Sequence, residues 1–220
     1  MAFKSENNNL INLYYKQVRK EIIPLLPERI ERVLEVGCGE GNTLEFLKKT
    51  KNCKWTAGIE LSSPAAEVAR GKVDLVIDGN FETLELPFEP ETLDLILCLD
   101  VLEHFVDPWT ALRRMHHFIK PGGAIISSIP NVRNFRVLLP LLFRGEWTYT
   151  DHGILDKTHM RFFTKKSVIE LMEGVDLKVD MVRSTGLEPW RMTSIVNAIT
   201  LHLFKPYFEF QYLIRAKRMN

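Results

Sequence analysis

Three glycines at every second position, Gly37, Gly39 and Gly41, close the apolar run of "VLEVGCGEGN" (33–42). Glycine tolerates positive φ and carries no Cβ, so a ligand can rest against the backbone of such a bend. A helix starting just behind it would point unpartnered N–H groups at the same place. A dinucleotide pyrophosphate is one ligand for that geometry. Its fingerprint, however, is G-x-G-x-x-G, and Asn42 stands where the third glycine belongs. Glu60, in "GIEL" (58–61), follows about twenty residues later, where a carboxylate can accept hydrogen bonds from both hydroxyls of an adenosine ribose. Bend and carboxylate together point to an adenosine ligand without a pyrophosphate.

Proton-transfer chemistry has two candidate sources. His104, in "LEHF" (102–105), lies just past an apolar run. A neutral imidazole there suits a general base, and equally suits a loop cap. Its neighbour Glu103 could orient the imidazole or be a solvated side chain, and the solvated reading is preferred. The second source is "TDHGILDKTHMRFF" (150–163), in which His152, Asp156, His159 and Arg161 crowd into one expected loop. An Asp can hold a His base in the right tautomer, and Asp156 with His159 would allow that. A divalent metal on the same residues is the alternative, but their spacing matches no metal motif and no metal site is predicted. His116 and His117 fall on a helical pattern and His202 in an apolar stretch, where packing or solvent accounts for them.

These residues need a scaffold, and the apolar runs predict one. Residues 32–38, 55–61, 74–78, 93–99 and 123–129 are short, nearly continuous apolar segments. Strands buried on both faces of a parallel sheet read that way. Between them, 42–50, 64–71 and 108–120 are long enough for crossover helices. A doubly wound α/β sheet follows, and such sheets bind ligands beyond the carboxyl ends of their strands, where the glycine bend sits. A first helix is expected over 9–23, ended by Pro24 and Pro27. Beyond Pro130 come a broken apolar segment, the His-bearing loop, a helix over 164–174 with Thr164 as N-cap, and two closing strands over 177–184 and 208–218.

Composition narrows the function classes. With 29 Lys and Arg against 28 Asp and Glu, the net charge is +1, and no basic stripe of the kind that reads nucleic acid stands out. "MAFKSENNNL" lacks the apolar core of a secretory signal, and no apolar run approaches the ~18–20 residues that span a bilayer. Cys38, Cys53 and Cys98 fit neither a disulfide framework nor a paired zinc motif and read as small buried thiols. A cytoplasmic location is expected.

Taken in order, "VLEVGCGEGN", "GIELS" (58–62), "LDLILCLDVLEHFVDPW" (93–109) and "IKPGG" (119–123) resemble the successive motifs of class I S-adenosylmethionine-dependent methyltransferases. "GILDKTHMRFFT" (153–164) and "YYKQVRKEIIPLLPE" (14–28) are similar, more loosely, to bacterial methyltransferases of sugar and surface-polysaccharide biosynthesis. The resemblance implies a seven-stranded, mostly parallel Rossmann-like sheet with an antiparallel last strand and a lid in the C-terminal half. It implies one methyltransferase domain over 1–220: a helical cover (1–30), a cofactor half (31–130) and a substrate and lid half (131–220). S-adenosylmethionine is the implied cofactor. Glu35 would anchor the loop and the amino-acid end of that cofactor, Gly37, Gly39 and Gly41 would admit its methionine part, and Glu60 would take the ribose. Asn80, with Asp78 nearby, stands where an acidic residue usually meets the adenine amino group. Phe81 would flank the ring and Leu99 would offer backbone contacts.

The reaction implied is methyl transfer to a hydroxyl of a sugar, glycan or other small acceptor, with His104 or the 152–159 group as base. A quinone or lipid acceptor, or a non-catalytic cofactor-binding role, is the alternative. The apolar segments 135–147 and 192–208 read as lid or homodimer surface, or as a peripheral contact with a membrane carrying a lipid-linked acceptor.

Overall fold

The computed structural model describes residues 15–185 and 203–219. The sheet is seven-stranded, in the order β3-β2-β1-β4-β5-β7-β6. Its strands are β1 (Arg32–Val36), β2 (Trp55–Glu60), β3 (Leu75–Asp78), β4 (Leu93–Leu99), β5 (Ile119–Pro130), β6 (Leu177–Thr185) and β7 (Gln211–Arg218). The first five are mutually parallel, and β7 runs antiparallel to both β5 and β6. The predicted doubly wound sheet, with its antiparallel last strand, is the architecture found.

Helices α1 (Asn42–Lys51), α2 (Ser63–Ala69) and α3 (Pro108–Phe118) cross between parallel strands. After the sheet's centre come α4 (Phe135–Arg144), α5 (Lys165–Glu173) and the short α6 (Lys205–Phe208). Local chemistry sets their ends. Asp107 accepts a hydrogen bond from the Thr110 N–H at 3.0 Å, with Pro108 in the first turn of α3. Thr164 and Ser167 form a reciprocal capping box that starts α5, as the Thr164 reading anticipated.

The continuous apolar runs are explained by burial on both faces. Leu34, Val36, Ile96 and Cys98 point to one side, against Leu112 and Met115 of α3 and Val168 and Met172 of α5. Val33, Leu95 and Leu97 point to the other, against Leu44 and Leu47 of α1 and Ile22 and Leu25. All three cysteines are buried and unpaired by disulfides.

The N-terminal segment departs from expectation. Of the helix predicted over 9–23, residues 9–14 lie outside the described residues, Tyr15 and Lys16 are helical, 17–19 are non-helical, and Lys20–Leu25 is a 3-10 turn that contains Pro24. Residues 15–19 form a strap laid across the glycine bend. Its backbone is bonded to the bend: the Glu40 N–H donates to the Tyr15 carbonyl at 3.0 Å, and the Arg19 N–H to Thr43 Oγ1 at 3.2 Å. In the other variable half, the segment expected over 192–208 falls largely outside the described residues, as does His202. No helix among the described residues is long and apolar enough to cross a membrane.

Candidate active site

The glycine bend leaves β1 at the carboxyl edge of the sheet and enters α1. Gly37 (φ +74°) and Gly39 (φ +54°) adopt the left-handed conformation that side chains disfavour. Room for a ligand is not the first demand on them. A Cβ on Gly37 would meet Val101 Cγ2 at 2.5 Å, one on Gly39 the Tyr15 carbonyl oxygen at 2.9 Å, and one on Gly41 the Val73 Cγ2 at 2.7 Å. The expectation that the missing side chains open the bend to a ligand is therefore corrected: the chain's own atoms occupy those positions, and strap and bend pack as one surface.

Two glutamates flank the bend. Glu60, at the end of β2, accepts from the Gly39 N–H and the Ser62 N–H, both at 2.8 Å, one on each carboxylate oxygen. Each oxygen keeps a second lone pair for a further donor. Glu35, in β1, is 3% exposed, and its Oε2 has no hydrogen-bond partner among the described residues. Burial, helped by the negative Glu60 and opposed by Arg19, pushes its carboxyl up to about 8. Between strap and bend lies a cavity of about 30 Å³, lined by Tyr15, Arg19, Glu35, Gly37, Gly39, Thr43 and Leu99. That holds roughly one water. A larger cavity of about 300 Å³ opens among Lys165, Arg183, Lys205, Glu209 and Tyr212 and touches none of these residues. The smaller one is the candidate site, because the glycine bend and the orphaned Glu35 carboxylate line it.

At the far end of β3 the adenine candidates are spread out. Asp78 and Asn80 are exposed, and Asn80 Oδ1 accepts from the Glu82 N–H at 2.9 Å. Phe81 is buried in the core, stacked on Phe105 with ring centroids 5.8 Å apart, and the Arg114 guanidinium lies over it at 5.0 Å. Its ring is committed to packing, so any contact with a flat ligand is limited to what those neighbours leave.

The end of β4 holds residues that sequence reasoning missed. Asp100 has φ +56°, a strained conformation for a residue with a Cβ. Its carboxylate accepts from Arg19 Nη1 at 2.6 Å, from Ser128 Oγ at 2.8 Å and from Gln211 Nε2. Strap, β4, β5 and β7 are thereby tied at one point. Asp100 follows a strand at the carboxyl edge, a usable signal; nothing in the sequence could pair it with Arg19, 81 residues away.

Immediately beyond, the turn Leu102–His104 meets the His-bearing loop. The Glu103 carbonyl accepts the N–H groups of Met160 at 2.8 Å and Arg161 at 3.0 Å, which docks the loop. His104 and His159 then face each other with ring centroids 4.7 Å apart. His104 Nδ1 lies 3.2 Å from the Thr158 carbonyl and His159 Nδ1 3.0 Å from the Ile154 carbonyl. A carbonyl only accepts, so each Nδ1 donates and each Nε2 keeps its lone pair. Burial holds His159 below the usual histidine range.

Two expectations fail here. Asp156 does not orient His159: its Oδ1 accepts from the Thr158 N–H at 2.8 Å and hydroxyl at 2.7 Å, closing a turn, while the Ile154 carbonyl sets the His159 tautomer. Glu103 is not solvated: it is 1% exposed and both carboxylate oxygens lack partners among the described residues, because the docked loop seals it. His152 is exposed. Arg161 Nη2 donates to the Val106 carbonyl, and no ion pair of Arg161 occurs among the described residues.

Comparison with known proteins agrees with this geometry. A family model described as a methyltransferase domain matches residues 11–182. The ubiquinone biosynthesis O-methyltransferase of Neisseria meningitidis serogroup C is 29% identical over 125 residues, 54% of this chain and 52% of that protein. The Coxiella burnetii protein of the same name is 31% identical over 123 residues, covering 54% of this chain and 51% of its own. The chain thus spans about half the length of the curated relatives it matches. Among solved structures, the S-adenosylmethionine dependent methyltransferase from Mesorhizobium loti superposes with a TM-score of 0.64 at 17% identity, over 90% of this chain and 96% of that one. A chain from the Haloferax volcanii complex with the Trm112 methyltransferase activator does so with a TM-score of 0.69 at 18% identity, over 100% and 96%. At that identity the superpositions speak for the fold alone. The family match over residues 11–182, on a sheet of this strand order, means that the chain belongs to the class I S-adenosylmethionine-dependent methyltransferases.

Proposed function

We propose that this enzyme transfers a methyl group to a hydroxyl of a small acceptor bound beside His104 and His159. The cofactor fits the chain's own unmet needs: Glu35 Oε2 is buried without a partner, which suits the cationic amino-acid end, and Glu60 retains lone pairs for ribose hydroxyls. The glycine bend lies between them, and Leu99 lines the same cavity. Asp78 and Asn80 are the nearest polar groups for the adenine edge. When bound, S-adenosylmethionine supplies a methyl group already activated by its sulfonium. The chain's task is then to orient the acceptor, exclude water and deal with the hydroxyl proton.

The observation that carries the hydroxyl reading is the imidazole pair. Both Nδ1 atoms are occupied by backbone carbonyls, so both Nε2 lone pairs are available to accept a proton from an acceptor oxygen. The names of the curated relatives, O-methyltransferases of ubiquinone biosynthesis, support oxygen as the target and a quinol as one acceptor class. A sugar or glycan acceptor rests on the looser resemblance of residues 14–28 and 153–164. Peripheral contact with a membrane bearing a lipid-linked acceptor, or a homodimer, is supported by the outer face of α4, where Leu142 and Phe143 are 74% and 76% exposed. The division into cofactor half and substrate half follows the same logic, since the His-bearing loop reaches the site from beyond residue 130.

The test is calorimetric titration with S-adenosylhomocysteine, followed by turnover on a panel of quinols and sugars. Glu60→Ala is expected to weaken nucleoside binding by about 2 kcal/mol, between ten- and a hundredfold. His104→Ala should leave that binding intact and depress turnover. Unchanged turnover in His104→Ala at saturating acceptor removes it from the mechanism.

A further inference from the structure

The imidazole pair has a third member that proton transfer does not use. Glu103 is 1% exposed, and neither carboxylate oxygen has a hydrogen-bond partner among the described residues. An isolated carboxylate in such a place is costly. Neutralising it by a proton leaves an O–H donor and a carbonyl still without partners. Glu103, His104 and His159 each bring one donor atom to within 4.8 Å of the others. We infer that these three residues form a binding site for a divalent first-row transition cation.

The chemistry of the set is specific. Two imidazoles and one carboxylate are a recurrent protein ligand set for zinc and for iron(II), leaving further positions open to water or substrate. Ligating histidines usually donate their second ring N–H to a carbonyl or carboxylate, which fixes ring and tautomer. Both histidines already do this, to the Thr158 and Ile154 carbonyls. Ligand atoms ~2.1 Å from an ion sit roughly 3–3.5 Å apart, so closing the set asks only for side-chain rotations of about an ångström. The nearby Asp100 does not compete, because both of its oxygens are occupied by Arg19, Ser128 and Gln211. The site also spans two pieces of chain. Glu103 and His104 leave β4, while His159 arrives on the docked loop, so an ion would fasten that loop over the acceptor.

The ion's role, though not its binding, rests on the hydroxyl-transfer reading. An open coordination position would take the acceptor oxygen and lower the pKa of its proton, and with both Nε2 atoms on the ion the imidazoles would act as ligands in place of a free base. Acceptors with two neighbouring oxygens, such as catechols or vicinal diols, would be favoured because they can chelate.

The test uses Co²⁺ as a coloured probe on chelator-treated full-length protein, without cofactor or acceptor. The expected result is saturable binding of one equivalent, read by visible d–d absorption and displaced by Zn²⁺. Glu103→Gln, His104→Ala and His159→Ala should each weaken it at least about tenfold, while His152→Ala, on the exposed part of the loop, leaves it unchanged. Circular dichroism checks that the variants fold, and if the Gln variant does not, the wild-type titration and the two His variants decide. Absence of a one-equivalent signal in wild type, or equal binding in all four variants, overturns the site. S-adenosylhomocysteine binding, measured in parallel, fails only if the cofactor reading itself is wrong.

Discussion

Glu35 is a residue whose charge state the fold controls directly. Burial raises its carboxyl from 4.5 to about 8, so between those values the folded protein holds a proton that the unfolded chain has released. The stability this contributes is complete below pH 4.5 and is lost as pH rises through about 8. The cofactor-free enzyme should therefore lose melting temperature between pH 5 and 8.5, and Glu35→Gln should flatten that loss, a difference on the order of a few kcal/mol. On the proposed placement, nucleoside binding would reverse the balance by bringing a cationic group to the carboxylate. Calorimetry at pH 7 in buffers of different ionisation enthalpy should show release of about one proton in wild type and none attributable to this site in Glu35→Gln. Equal proton release by both proteins would mean that Glu35 does not meet the cofactor.

Among elements, the strap ahead of the 3-10 turn is the one most exposed to test. It is held to the bend through the Tyr15 carbonyl and the Arg19 N–H, and to the sheet through Arg19 and Asp100. The cavity it leaves, about 30 Å³, is an order of magnitude below the few hundred Å³ that a ligand of this size needs. On the proposed placement of the cofactor, the strap has to move for it to bind. Arg19→Ala unties the strap and leaves Asp100 short of one partner, at an expected cost of about 2 kcal/mol in stability. Stopped-flow measurement should show faster nucleoside release from this variant, because the tie that closes over the ligand is gone. An unaltered release rate would assign Arg19 to the scaffold and not to the gate.

At the scale of the molecule, the stability of the site depends on a sheet packed on both sides. Ile96, in the central strand, is fully buried. Ile96→Ala should cost about 2–5 kcal/mol, a large share of the roughly 5–15 kcal/mol that separates a folded domain from its unfolded state. Leu142→Ser, on the exposed face of α4, should change stability by no more than about 0.5 kcal/mol. Denaturant midpoints for the two variants make the comparison. If they shift alike, the outer face of α4 is buried in solution, as it would be in a dimer.

Much of this was legible in one dimension. Strands buried on both faces must be apolar throughout, so the runs ending at Val36, Glu60 and Leu99 announced a parallel sheet with the glycine bend at its carboxyl edge. Those signals are local: they depend on residues adjacent in sequence. What the tertiary structure decided is every relation between distant residues. His104 reaches the Thr158 carbonyl, 54 positions on in the chain and beside His159, through a loop docked on the Glu103 carbonyl, and Arg19 reaches Asp100, 81 positions on. Asp156 turned to its own loop instead of to a histidine, and Glu103 passed from expected surface to sealed interior, because hydrogen bonds and burial are settled by which segments pack together. Residue types named the chemistry that was available; the three-dimensional packing chose which groups share a site.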